Sequence, residues 1–348
     1  MKIHKDFIGG NAVVKEICGD RVVIENELRD TTQDWFYWAF CVEGAEGREI
    51  TFELQKHRLG YWGPAVSHDL EGWHWLGACD GNSFSYKFGK DESKVYFAHH
   101  ILYPIKRFYE LSERNGLTVT ELCKSRKGRA VPCLLLGEGE RTVILTARHH
   151  ACESTGSYVL EGVIEELVND LPPDLHVLCV PFVDYDGMLD GDQGKSRYPH
   201  DHNRDYTADA PSIYPEVSAI RRFAEQYGCS YGFDFHAPWH KGGQNDTIFM
   251  VHNSAKEKAV FDRFASLLEA RITEDSMSFK SENFTPACTG WNQPSPAFAF
   301  TMNSRPECHI SFTLESTYFG SDDNVVSAKR LIELGRCFGR ALKAYIQG

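Results

Sequence analysis

Apolar residues follow two different rhythms along this chain. Up to about residue 103 they come in short alternating, β-branched or aromatic runs, "DWFYWAFCVEG", "EITFELQ", "FSYKF" and "KVYFAHHILY", separated by Gly, Asp and Asn turns. Runs of this length between turn residues predict the strands of an antiparallel β-sandwich, and no long helical period competes with them. The segment is also rich in aromatic residues.

From about residue 104 the rhythm changes. "IKRFYELSERNG" has helical spacing and a glycine stop, and "TVTELCKS" and "AVPCLLLG", joined through "RKGR", predict a hairpin. "TVILTA" (142–147) is a short apolar strand, "SYVLEGVIEELVND" places Val159, Leu160, Val163, Ile164, Leu167 and Val168 at helical spacing, and "LHVLCVPFV" (175–183) is another buried strand. Strand, helix and strand with unbroken apolar strands predict a βαβ unit and a largely parallel sheet. Further strands are expected at "YGFDF", "TIFMV" and "ISFTL", with covering helices around 216–227, 254–271 and 325–346. The expected organisation is an α/β protein in two domains. Residues 1–103 form an N-terminal antiparallel β-sandwich, and residues 104–348 an α/β/α domain around a mixed, largely parallel sheet.

Composition narrows the function by exclusion. The 348 residues carry a net charge of −12, which argues against nucleic acid or an anionic membrane as partner, since both select basic surfaces. The N-terminus "MKIHKDFIGGNAVV" lacks the apolar run of a signal peptide, and no apolar stretch is long enough to span a bilayer. The 11 cysteines are scattered without a Cys-x-x-Cys pair, the pattern of reduced thiols in a cytoplasmic protein.

Two His-x-x-Glu spacings occur, His68/Glu71 and His150/Glu153, where 15 histidines lead to about one by chance. His150 and Glu153 follow the strand "TVILTA" where the chain turns into a helix, and open α/β sheets bind ligands beyond the carboxyl ends of their strands. His68 and Glu71 lie in a β region rich in Gly and Trp and have no such setting. A catalytic zinc takes three protein ligands and keeps one position open. His236, after the strand "YGFDF", is the candidate third, although a buried histidine bonded to a carbonyl is the plain alternative. Glu315 closes the strand "ISFTL", where a carboxylate is costly unless it has a partner or a task, and a hydrolytic metal needs a base of this kind. In "PHDHNRDY" (199–206), His200 and His202 read as solvent-exposed. Arg204, next to Asn203, has the planar fork that pairs with a carboxylate, though a bond to neighbouring Asp205 is equally consistent with the segment.

Five segments in order resemble the zinc metallocarboxypeptidases, and among them the cytosolic carboxypeptidase-like branch. "ARHHACESTGSYVLEG" is similar to that branch's Arg-x-His-Pro-Gly-Glu segment, with Ala151 and Cys152 replacing Pro-Gly. "VPFVDYDGMLDGD" is similar to its Pro-x-x-Asn-Pro-Asp-Gly segment, with Asp184 and Tyr185 replacing Asn-Pro. "DHNRDY", "DFHAP" and "SFTLESTYFG" resemble its Asp-Leu-Asn-Arg, Asp-x-His-Gly and Thr-Met/Leu-Glu segments, and the aromatic first domain resembles the β-sandwich that precedes the peptidase domain there. The resemblance implies one zinc ion per chain on His150, Glu153 and His236, with Glu315 as general base. It implies Asp201 as the carboxylate orienting the first histidine, and Asn203 and Arg204 as binders of the substrate's terminal carboxylate.

Two departures bear on mechanism. Gly194 stands where the branch has the arginine that polarises the scissile carbonyl, which leaves Lys195 or Arg197 for that task, and Arg197 is favoured. Residues 275–312 contain no tyrosine to match the mobile one of digestive members. The implied activity is removal of C-terminal residues from peptide or protein tails. A zinc amidohydrolase of small N-acyl amino acids and a non-catalytic zinc-stabilised binding module are the alternatives.

Overall fold

Two sheets stack over the first hundred residues. One has five strands, in the order Lys2–His4, Ala39–Glu43, Lys94–Ala98, Ala65–Ser67, His74–Trp75, and the other has four, Val13–Cys18, Arg21–Glu25, Glu49–Leu54, Ser83–Lys87. The molecule is described from a computed structural model covering residues 1–348 except 57, 80, 209 and 253–255. Inward-facing Phe40, Val95 and Phe97 of the first sheet meet Val22, Ile50 and Phe52 of the second in one apolar cluster. Phe52 and Phe97 touch across it with ring centroids 5.3 Å apart. The sandwich is antiparallel at every pairing but one: Arg21–Glu25 and Glu49–Leu54 run parallel. Between those two strands the chain visits the opposite sheet as Ala39–Glu43, and that excursion reverses its direction of return.

The larger sheet has eight strands, in the order Thr120–Lys124, Ala130–Leu136, Leu175–Val180, Arg141–Ala147, Tyr231–His236, Ile310–Glu315, Ile248–Val251, Phe279–Thr285. Its four central strands, from Leu175–Val180 to Ile310–Glu315, are mutually parallel. Alternate residues face opposite layers. Val143, Leu145 and Ala147 join Val159, Val163, Phe264 and Phe338 of helices Ser154–Asn169, Lys258–Glu269 and Ala328–Gln347. Ile144 instead joins Val217 and Ile220 of helix Pro215–Tyr227 and Phe298 and Met302 of helix Phe298–Asn303 on the other face. Helices Ser154–Asn169 and Ala328–Gln347 pack backbone to backbone through Gly162, where any Cβ would collide with the carbonyl of Ile332.

The expected elements appear with small shifts of boundary. The helix expected at 254–271 is observed as Lys258–Glu269, and residues 254 and 255 lie outside the described part. Strand Phe279–Thr285 and the short helices Tyr185–Asp190 and Phe298–Asn303 are additions. No disulfide bond joins cysteines among the described residues, and no helix among them is long and apolar enough to cross a membrane.

The sandwich braces the loops at the carboxyl ends of the central strands. Trp62 and Trp75 donate their indole N–H to the carbonyls of Phe319 and Val326, at 3.1 and 2.9 Å. Gln193 bonds both the N–H and the carbonyl of Tyr37, and a ring nitrogen of His100 lies 2.8 Å from the carbonyl of Cys152, one residue before Glu153.

Candidate active site

Strand Arg141–Ala147 ends in a turn whose first residue, Arg148, has φ of +63°, a conformation that side chains with a Cβ adopt at a cost and that concentrates at functional sites. The turn sends its two histidines in different directions. His149 goes inward, where its ring nitrogens lie 2.8 Å from Asp234 Oδ1 and from the Tyr206 hydroxyl. His150 turns toward a cleft of about 530 Å³ that Glu153, His236 and Glu315 also line. Glu153 is the residue that starts helix Ser154–Asn169, so its carboxylate sits at the positive end of the helix dipole.

Three ligand atoms converge there. His150 Nδ1 is 2.9 Å from Glu153 Oε1, His236 Nδ1 is 2.8 Å from Glu153 Oε2, and the donor atoms of all three lie within 4.8 Å of one another. Two histidines and a glutamate are the donor set of a catalytic zinc. The local field suits a cation as well. Burial disfavours charge on both imidazoles, yet Glu153 with Asp201 raises the pKa of His150, and Asp234 with Glu153 raises that of His236 well above the ordinary value. The same carboxylates favour positive charge at this point, and a metal ion bound there would displace the imidazole protons. The residues present therefore fit zinc.

Two other groups among the described residues also bring three ligand atoms within 4.8 Å of one another, His149/Asp234/His236 and His4/Cys41/Glu43. In the former, Tyr206 and Asp234 already occupy both nitrogens of a fully buried His149, which leaves no open position for water or substrate. The latter lies on the sandwich, outside the cleft.

Each imidazole has a carboxylate behind it. His150 Nε2 lies 3.7 Å from Asp201 Oδ1, and His236 Nε2 lies 2.5 Å from Asp234 Oδ2. The second is a hydrogen bond that fixes the His236 ring and its tautomer, whereas the first is an electrostatic contact without a hydrogen bond. Asp201 and Asp234 both remain ionised: burial opposes this, but His150 outweighs it for Asp201, and His149 and His236 do so for Asp234. Asp234 has no counterpart among the sequence candidates, although a charged residue inside the apolar run "YGFDF", two before His236 and so on the same strand face, is a usable signal.

Glu315 ends strand Ile310–Glu315, in register with His236 on the neighbouring parallel strand. Its Oε2 is buried without a hydrogen-bond partner among the described residues. Burial pushes the Glu315 carboxyl up to about 7, with nearby Glu153 adding to the effect against the pull of His236 and Lys195.

The two candidate cations separate clearly. Lys195 lines the cleft, pairs with Glu153 Oε1, and sits 4.6 Å from the ring centroid of Trp35, which the sandwich contributes. Arg197 does not reach it. Its guanidinium is held by Asp30 at 3.1 Å, Asp184 at 2.8 Å and Asp192 at 2.9 Å, in a separate cavity. Three carboxylates around one guanidinium fix it in place, so Arg197, contrary to expectation, does not line the cleft, whereas Lys195 does. Gly194 is explained by packing: at φ of +77° a Cβ there would collide with the backbone N of Ala151.

Asn203 is buried beside His236, with Nδ2 3.5 Å from its Nε2, and Arg204 is exposed at the cleft. No carboxylate pairs with Arg204 among the described residues. Asp205 instead accepts from the N–H groups of Ile213 and Tyr214 and contacts His200. His202 departs from expectation, being buried with its ring stacked 3.7 Å from that of Tyr214. His68 and Glu71 turn apart, to Glu92 and Lys106.

No family model matches the chain. In sequence it is 26% identical over 257 residues to an uncharacterized protein of Zymomonas mobilis, covering 68% of this chain and 67% of that one. It is 26% identical over 219 residues to cytosolic carboxypeptidase 2 of Danio rerio, covering 58% of this chain but 30% of that protein, so the chain spans about a third of the length of these carboxypeptidases. In structure it is similar to a metallo-carboxypeptidase from Pseudomonas aeruginosa, solved in complex with (2-guanidinoethylmercapto)succinic acid, with a TM-score of 0.80 and 23% identity over 100% of this chain and 99% of that one. The structural likeness shows the metallocarboxypeptidase fold. Together with the sequence relatives it supports the zinc metallocarboxypeptidase family and, within it, the cytosolic carboxypeptidase-like branch.

Proposed function

We propose that this protein is a zinc-dependent carboxypeptidase that hydrolyses the C-terminal peptide bond of peptide or protein tails, with residues 1–103 as the bracing sandwich and 104–348 as the catalytic domain. The observation that carries the reading is the convergence of His150, Glu153, His236 and Glu315 on one cleft that also holds an arginine with no carboxylate partner among the described residues. Eleven cysteines without a disulfide among the described residues suit a reducing cytoplasm.

One zinc ion held by His150, Glu153 and His236 would supply a Lewis acid that lowers the pKa of water to about 7. Glu315 takes the proton as the carbonyl carbon is attacked and returns it to the departing amine. Lys195 stabilises the negative charge that develops on the carbonyl oxygen, at a site where burial strengthens the interaction. Asp201 and Asp234 hold the two imidazoles with Nδ1 toward Glu153. Arg204 and Asn203 bind the terminal carboxylate and set the register of cleavage.

The clamp separates a chain-end enzyme from a general amidase. Charge-assisted hydrogen bonds contribute roughly 1.5–3 kcal/mol each. Arg204→Ala is therefore expected to lower kcat/KM by about ten- to a few hundred-fold, with lysine restoring only part because it lacks the planar fork. Amidating the substrate's C-terminus should penalise the wild type heavily and Arg204→Ala little, since both changes remove the same contact. Equal penalties in the two enzymes exclude Arg204 as the clamp, and no penalty in either excludes a carboxypeptidase.

Lys195 and Arg197 are separable by two assays. Lys195→Met is expected to reduce kcat by about 10²–10³-fold, as for loss of one preorganised donor to the reacting oxygen. Arg197→Ala should act first on stability, because it leaves Asp30, Asp184 and Asp192 without their shared cation. Removing one partner of a buried ion pair costs about 3–5 kcal/mol, visible as a large fall in Tm. A silent Lys195→Met would return the role to another group.

A further inference from the structure

We propose that a second cavity, at the seam between the sandwich and helix Ile105–Arg114, binds a small carboxylate with an uncharged apolar body, held by the Arg148 guanidinium. The cavity has a volume of about 220 Å³ and shares no lining residue with the cleft. The inference stands on its own residues and does not require the carboxypeptidase reading.

Arg148 is 6% exposed. Its Nε and Nη1 are buried without a hydrogen-bond partner, and no carboxylate forms an ion pair with it, among the described residues. Asp184, an acid whose field reaches it, is paired with Arg197 at 2.8 Å. Burial lowers the pKa of Arg148, but a guanidinium keeps its proton in proteins and cannot escape burial by becoming neutral, as a lysine can. A buried charge in this state is costly, and a bound anion offsets the cost.

A second feature of the same sign lines the cavity. Helix Ile105–Arg114 starts there, and Pro104 at its N-cap supplies no side-chain cap. Its first turn carries no acidic residue, so the N–H groups at its start and the positive end of its dipole favour an anion.

The other charges around the cavity are already matched. Asp69 Oδ1 accepts from the N–H groups of Glu71 and Gly72, both at 2.8 Å, and Glu71 pairs with Lys106. The deep walls are apolar: Tyr37, Leu102, Tyr103 and Met188 are each at most 8% exposed, and the Tyr37 hydroxyl donates to the carbonyl of Gly9. Such walls suit a hydrocarbon body and disfavour a second charge on the ligand. Backbone strain marks the same place. Arg148 and Leu70, which both line the cavity, are two of the four non-glycine residues with positive φ among the described residues, at +63° and +68°. Conformations of this kind cluster at active sites and ligand clamps.

The test titrates the zinc-loaded full chain by calorimetry with hexanoate, with its neutral isostere hexanamide and with inorganic phosphate. Hexanoate is expected to bind at millimolar concentration, at least about tenfold more tightly than hexanamide or phosphate. Arg148→Met keeps the length of the side chain and removes its charge, and should weaken this binding by about 10–10²-fold, the scale of a charge-assisted pair. Arg204→Ala, which removes the proposed carboxylate binder of the cleft, should leave it unchanged. Lys106→Glu, an exposed substitution in the first turn of the helix, should weaken it by about 3–10-fold by placing an anion at the helix start. Hexanoate binding that survives Arg148→Met places the carboxylate elsewhere and overturns the inference, as does no binding at all. Equal affinity for hexanamide, or phosphate bound in preference to hexanoate, overturns the assignment of an apolar carboxylate. Where Arg148→Met does not fold, Lys106→Glu decides: weakened hexanoate binding supports the site, and unchanged binding overturns it.

Discussion

Alanine at His150 or His236 is expected to remove most of the bound zinc and to bring hydrolysis below detection. Two protein ligands hold zinc poorly, and each imidazole is one of only three groups in this set, both in contact with Glu153. The two variants should nevertheless differ in stability. His150 is partly exposed at the cleft, and its loss leaves Asp201 with the N–H of Ser196 at 3.2 Å and the positive field of Arg204. His236 stands between two buried carboxylates, Glu153 Oε2 at 2.8 Å and Asp234 Oδ2 at 2.5 Å. Removing it leaves both without that partner, so His236→Ala should lower the Tm of the metal-free protein well beyond His150→Ala, by the equivalent of about 3 kcal/mol or more. Metal content by mass spectrometry and melting by calorimetry measure the two effects separately. His68→Ala, in the other His-x-x-Glu pair, should change neither, because His68 contacts Glu92 on the sandwich surface. Full zinc occupancy in either site variant would show that the ligands are elsewhere.

What was legible in the sequence follows from what each element does locally. The central strands Arg141–Ala147, Tyr231–His236 and Ile310–Glu315 are buried on both faces, and that condition writes an apolar run into the chain. Strand Phe279–Thr285 has no such run. It lies at the sheet edge and mixes exposed and buried positions in "FKSENFT". Helix Phe298–Asn303 has six residues, too few for a 3.6-residue period to show. The parallel pair in the sandwich is invisible locally, because its direction depends on where the intervening strand Ala39–Glu43 pairs.

The site divides along the same line. Three metal-ligand candidates and the base sit at strand ends and in short motifs, where local order carries information. The choice between Lys195 and Arg197 depends on distant acids: Asp30 arrives from the sandwich and Asp184 from the loop after strand Leu175–Val180, and together with Asp192 they hold the guanidinium. Trp35 reaches Lys195 from a segment some 160 residues away by the numbering, and no periodicity announces that. His202 lies in a polar segment, yet Tyr214, twelve residues on by the numbering, buries it by stacking.

Glu315→Gln separates chemistry from binding. The amide has the same shape, so zinc and substrate affinity should be kept, while kcat falls by about 10²–10⁴-fold, the usual contribution of a general base. The surroundings argue that the loss lies in that range and not in the structure. Glu315 Oε2 has no hydrogen-bond partner among the described residues, so replacing it with an amide nitrogen breaks no existing bond. The pH profile adds an independent check. Burial raises the Glu315 carboxyl to about 7, and bound zinc pulls the other way, so the acid limb of kcat/KM should lie at or below pH 7. The base is active only when ionised, hence activity falls as pH drops through that limb. In Glu315→Gln the residual activity should lose the part of the limb that this carboxyl supplies. A variant with undiminished kcat, or with reduced kcat but an unaltered limb, would move the base to another residue, and the buried Oε2 would then need a different explanation.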